Sequence, residues 1–175
     1  MKLATLKNGS RDGALVLVSK DLSKYTDASD IAPTLQAALD NWATIAPRLK
    51  TLSSALESGE APSTPFDQSA AESPLPRAYQ WADGSAYINH VALVRKARGA
   101  EVPDSFYDDP LMYQGVSGPN LAPHDPIPFT DMSWGYDMEG EIAVITDDVP
   151  LGVSESDALG HIKLVLLCND VSLRG

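Results

Sequence analysis

The chain has 175 residues, of which 43% are hydrophobic and 21% charged, a composition that supports a packed core and excludes wholesale disorder. Thirteen basic residues against 24 acidic ones leave a net charge of −11, which repels phosphate backbones and anionic lipid, so neither nucleic acid nor a membrane is expected as a partner. The single cysteine, Cys168, excludes an intrachain disulfide, and its apolar neighbours predict a buried, inert thiol. The longest apolar runs, at 14–18 and 164–168, are too short to span a bilayer. No apolar stretch follows Lys2 and Lys7, so a cytoplasmic protein is expected.

Residues 3–26 read as short strands. Leu3 to Leu6 and Ala14 to Val18 flank the turn dipeptides Asn8-Gly9 and Asp12-Gly13, which predicts a hairpin with a longer loop, and a third strand is expected at 22–26. Leu35, Ala38, Leu39, Trp42 and Ile45 recur at helical spacing and predict a helix over 34–57, opened after Pro33, broken at Pro47 and stopped at Gly59. Residues 58–76 carry Pro62, Pro65, Pro74 and Pro76 among Ser, Ala and Glu and read as a linker. The expected organisation is therefore an N-terminal module over 1–76 and a second part over 77–175.

In the second part, Gly and Pro punctuate 99–128 and predict long irregular loops, which in compact domains usually carry function. A strand is predicted over 139–146. A short helix capped by Ser154 follows, and a strand over 162–168 is apolar enough to be buried on both faces.

Three features carry chemistry. Glu139 and Glu141 stand at i and i+2, which in a strand puts two carboxylates on one face with Cα atoms ~6.6 Å apart; they are solvated, share a proton or grip a cation. Asp170 follows the second strand, as a turn or cap residue or as a ligand. Glu139, Glu141 and Asp170 would together offer three hard oxygen donors, suited to Mg²⁺ or Mn²⁺, or Ca²⁺, rather than zinc. His90 ends the segment Trp81-Ala82-Asp83-Gly84-Ser85-Ala86-Tyr87-Ile88-Asn89-His90, as a hydrogen-bonded structural residue or a catalytic base. The basic cluster Arg95, Lys96 and Arg98 is a solvated face or a carboxylate binder.

Glu139-Gly140-Glu141, followed by Asn169-Asp170-Val171-Ser172-Leu173-Arg174, resembles the metal-binding core of the fumarylacetoacetate hydrolase family. The segments Tyr87-Ile88-Asn89-His90-Val91 and Pro110-Leu111-Met112-Tyr113-Gln114-Gly115 resemble its bacterial members, as does the N-terminal hairpin and helix. The resemblance implies an α+β fold, β-rich, with a small N-terminal module and part of a mixed-strand β-roll. It implies a metal-dependent hydrolase that cleaves a C–C bond in fumarylacetoacetate or a related acylpyruvate, in aromatic amino-acid catabolism, with Mg²⁺, Ca²⁺ or Mn²⁺ as cofactor. Glu139, Glu141 and Asp170 match the family's shared metal ligands and Asp83 a fourth. His90 matches its general base, while Tyr113 and Arg174 match residues that bind substrate or stabilise charge.

Relatives extend well beyond the Arg174 segment, so the chain resembles an N-terminal half that would be inactive or weakly active alone. The partners implied are a small anionic diketo acid and a second copy in a dimer. The alternatives are hydration, decarboxylation or isomerisation of a 2-oxo acid, or a non-catalytic chain that binds a partner subunit.

Overall fold

The computed structural model describes residues 1–109, 111–115 and 118–175; Pro110, the first residue of one resembling segment, lies outside them. The predicted hairpin forms from β1 (Lys2–Leu6) and β2 (Ala14–Val18), antiparallel with Leu3 opposite Leu17. β3 (Lys24–Asp27) adds to β2. β2 is apolar throughout, and Leu15, Val16, Leu17 and Val18 are all buried, so both of its faces are covered.

The helical stripe forms two helices, not one. α1 (Leu35–Leu39) starts at Thr34, whose side chain accepts from the Ala37 N–H, and α2 (Trp42–Ser58) ends at Gly59 in the left-handed conformation (φ 83). The break falls at Asp40 and Asn41, while Pro47 lies inside α2. Packing decides this: Leu35, Ala38 and Leu39 from α1 and Ile45, Leu49 and Leu56 from α2 enter one core with Leu15 and Leu17. That burial outweighs the one backbone hydrogen bond a proline removes.

The proline-bearing stretch after Gly59 is tied to the sheet. β4 (Thr64–Pro65) pairs with β3, Glu72 donates its N–H to the Thr5 carbonyl at 2.8 Å, and Thr5 Oγ1 donates to the Pro74 carbonyl at 2.8 Å. Ala71 and Ser73 are buried against it. Read as a linker, this stretch instead completes a four-stranded antiparallel sheet with its flank.

Beyond residue 80 the elements are shorter. β5 (Ala82–Gly84) pairs with β6 (Met112–Gln114), and α3 (Ile88–Ala97), which the sequence reading did not identify, lies between them in the chain. Arg95 and Lys96 occupy the last turn of α3, where cations complement the helix dipole. β7 (Tyr136–Asp137) and β8 (Gly140–Thr146) follow, then the Ser154-capped α4 (Glu155–Ala158), β9 (Ile162–Asn169) and β10 (Ser172–Leu173). β8 pairs with β9 and β7 with β10. All strand pairings among the described residues are antiparallel. Helix, counting 3₁₀ turns, makes up 28% and strand 24%, so the fold is α+β with helix slightly ahead.

β9 is not buried on both faces. Ile145 and Leu164 pack on the N-terminal core. On the opposite side Ile142, Val144, Val165 and Leu167 are 71%, 47%, 65% and 83% exposed. Cys168, expected to be buried, is also exposed. Among the described residues no helix is long and apolar enough to cross a membrane.

Candidate metal centre and the residues around it

Three acidic residues from separate segments converge. Single carboxylate oxygens of Asp83, Glu141 and Asp170 lie within 4.8 Å of one another. Asp83 comes from β5, Glu141 from β8, and Asp170 from the residue after β9. The register explains the second and third: Glu141 stands opposite Cys168, so Asp170, two residues further, shares its face. The Asp170 N–H donates to the Glu139 carbonyl at 3.0 Å, and Asn169 Oδ1 accepts from the Glu139 N–H at 3.1 Å. Those two bonds fix how β8 enters and β9 leaves.

Tyr113 reaches the centre from β6, directly opposite Asp83. Its hydroxyl donates to Asp170 Oδ2 at 3.0 Å. Partial burial and the Asp170 carboxylate beside it push the Tyr113 pKa well above the ordinary phenol value, so the group stays a neutral donor. Gly115 follows β6, where an added Cβ would lie 2.0 Å from the Trp81 ring. Only glycine lets the indole lie there, and that ring packs edge-on to Tyr113 at 6.1 Å.

Asp83 is shifted upward by partial burial first, then by Asp170 and Glu139; Glu141 is raised by partial burial, then by Asp83 and Asp170. Burial, which penalises the charged form, leads this shift, the neighbouring carboxylates add to it, and His90 opposes it in part. Among the described residues, no Lys, Arg or His forms an ion pair with any of the three. An all-oxygen set whose members raise one another's pKa suits a hard divalent cation, with water or substrate oxygens completing the shell. Cys168 sits opposite Glu141; its thiol is raised by partial shielding and then by Glu141 and Asp170, which keeps it protonated.

Glu139 lies beside this trio rather than in it. Its carboxylate accepts from Arg174 Nη2, and its other oxygen is 3.1 Å from His90 Nε2. Arg174 Nε also donates to Asp137 Oδ2 at 3.2 Å. His90 stands in the first turn of α3. The structure therefore brings all seven singled-out residues to one place in two linked groups: Asp83, Glu141, Asp170 and Tyr113, then Glu139, His90 and Arg174. The sequence reading gave no role to Asp137 or Asn169. Asp137 precedes Glu139 by two residues, the same spacing that singled out Glu139 and Glu141, and Asn169 adjoins Asp170.

Family models match both parts of the chain. Residues 1–77 match the model described as fumarylacetoacetase N-terminal domain 2, and residues 80–175 match fumarylacetoacetate (FAA) hydrolase C-terminal. No curated protein matches the chain. Members of this superfamily are generally enzymes of hydrolase or lyase type and commonly bind divalent metals. With more than half of its length inside the second match and nearly all the rest inside the first, the chain belongs to the fumarylacetoacetate hydrolase family.

Proposed function

We propose that the chain carries the cation-binding and acid–base residues of a metal-dependent hydrolase that cleaves a C–C bond in fumarylacetoacetate or a related acylpyruvate. The observation that carries this reading is the convergence of Asp83, Glu141 and Asp170 within 4.8 Å, flanked by His90 and Arg174 on Glu139.

Asp83, Glu141 and Asp170 would hold Mg²⁺, Mn²⁺ or Ca²⁺. Such a cation supplies Lewis-acid polarisation to a carbonyl and a local positive field in a chain of net charge −11. Glu139 beside Nε2 favours a proton on that nitrogen, which leaves His90 Nδ1 as the basic position. His90 takes a proton from water there, the water oxygen attacks the carbonyl carbon, and collapse of the adduct breaks the adjacent C–C bond, the departing carbon taking its proton back from His90. Arg174 presents a guanidinium suited to a carboxylate or to a developing oxyanion. Tyr113 holds Asp170 through its hydroxyl and thereby orients one ligand.

The test has two parts. Calorimetry with Mg²⁺, Mn²⁺ and Ca²⁺ is expected to give binding heat with the parent chain and none with Glu141→Gln. Assays of acylpyruvate cleavage then compare the parent with His90→Ala, expected to lower kcat by about 10²–10⁴ where cleavage is measurable. Undiminished cleavage in His90→Ala would take the base role from His90, and cation binding without cleavage in the parent would shift the reading to hydration, decarboxylation or isomerisation of a 2-oxo acid.

A further inference from the structure

Tyr113 orients Asp170 from an open position. Its hydroxyl donates to Asp170 Oδ2 at 3.0 Å, yet the residue is 48% exposed. A half-exposed side chain loses rotamer freedom when it is held in one place, so something beside it has to restrain the ring. The β5–β6 ladder supplies that restraint. Asp83 stands opposite Tyr113 and Ala82 opposite Gln114, and one step further along the Gly115 N–H donates to the Trp81 carbonyl at 2.9 Å. Side chains alternate across a strand, so Trp81 and Gly115 share the face that carries Asp83 and Tyr113. The indole folds over the bare Gly115 backbone, where an added Cβ would overlap the ring. It meets the Tyr113 ring edge-on, with centroids 6.1 Å apart and planes at 70°, a favoured geometry for aromatic pairs. The peptide that carries the indole is fixed as well: Gln114 Nε2 donates to the Trp81 carbonyl at 2.7 Å, and Gln80 Nε2 donates to Gln114 Oε1 at 2.8 Å.

We propose that Trp81, seated on Gly115, is a positioning residue for the acidic trio: it holds the Tyr113 ring where the hydroxyl keeps Asp170 turned toward Asp83 and Glu141. Trp81 acts on a cation through Tyr113, and Gly115 is the position that makes room for it. This inference rests on the cation site proposed above and goes beyond it, because it concerns what holds a ligand's hydrogen-bond donor in place.

A double-mutant cycle on Mn²⁺ affinity, read by calorimetry, separates this role from general packing around the site. Trp81→Leu is expected to weaken Mn²⁺ binding by about fivefold or more in the parent background, and by less than about twofold where Tyr113→Phe has already removed the hydroxyl. Trp81→Phe restores an aromatic edge and is expected to bring the affinity back to within about twofold of the parent. Gly115→Ala displaces the indole without deleting it. It is expected to show the same dependence on the Tyr113 hydroxyl, and it serves as the reporter if Trp81→Leu unfolds. Equal losses in the two backgrounds, no loss in the parent, or no recovery with Trp81→Phe overturn the proposal and leave the cation site standing. No Mn²⁺ heat from the parent chain overturns the cation site, and this proposal with it.

Discussion

Gly13 shows how a single backbone position governs the N-terminal hairpin. It has φ +63, and an added Cβ would lie 2.5 Å from Thr5 Cγ2 and 2.7 Å from the Leu6 carbonyl oxygen. Gly13→Ala adds left-handed strain to an overlap in which one partner is backbone, and is expected to cost about 3 kcal/mol, read from the urea midpoint. The acidic trio acts in the opposite sense, storing repulsion. Asp83 and Glu141 have folded pKa values above their unfolded ones, so the folded state binds their protons more tightly. Their cost to stability is absent at low pH and grows as pH rises through the raised values. A divalent cation offsets that cost, so Mg²⁺ is expected to raise Tm, and by more at pH 7 than at pH 4. At 100 times Kd the gain is about 2.7 kcal/mol. Equal gains at both pH values would show that the ion binds elsewhere.

Among the elements, α2 carries the core and α1 trims it. Leu49 and Leu56 are fully buried beside Leu15 and Leu17, so Leu49→Ala is expected to cost about 3 kcal/mol. Thr34 only caps α1 through its side chain, and Thr34→Ala is expected to cost about 1 kcal/mol. Denaturant titrations of the two variants check the ranking. β8 and β9 are apolar on both faces, but only the inner face has a partner, because Ile145 and Leu164 reach the N-terminal core. That contact also fixes the strand pair whose other end presents Glu141 and places Asp170. The same pair thus links the packed module to the site.

Across the whole molecule, packing is uneven. Beyond residue 80 only Val91, Phe106 and Ala122 are buried apolar residues among those described, while the outer face of β8 and β9 exposes Ile142, Val144, Val165 and Leu167. A contiguous aliphatic face of this kind promotes association, opposed at low salt by the net charge of −11. Sedimentation is expected to show concentration-dependent association that strengthens with salt. Leu167→Lys is expected to weaken it with little change in Tm, since that side chain is 83% exposed.

Local pattern carried much of the sequence reading. Apolar runs, β-forming residues and turn dipeptides located β1, β2, β8 and β9 to within a residue or two, and the Gly59 stop and the Ser154 cap lie where local chemistry places them. Helix α3 escaped because Val91 is its only buried residue, so it has little apolar stripe to read. Pro47 misled because local propensity is weaker than burial of the leucines around it. Residues 58–76 misled because a proline-rich composition says nothing about carbonyls that a neighbouring strand recruits.

The amino-acid sequence by itself determined which side chains carry chemistry, since carboxylate, imidazole, guanidinium and phenol are properties of residue type, and their order along the chain carries the family resemblance. Tertiary structure alone decided which of them meet. Asp83 reaches Glu141 and Asp170 because β5 and the β8–β9 pair are brought together across dozens of residues, and Glu139 faces His90 and Arg174 because Coulomb attraction and hydrogen bonding act through space, not along the chain.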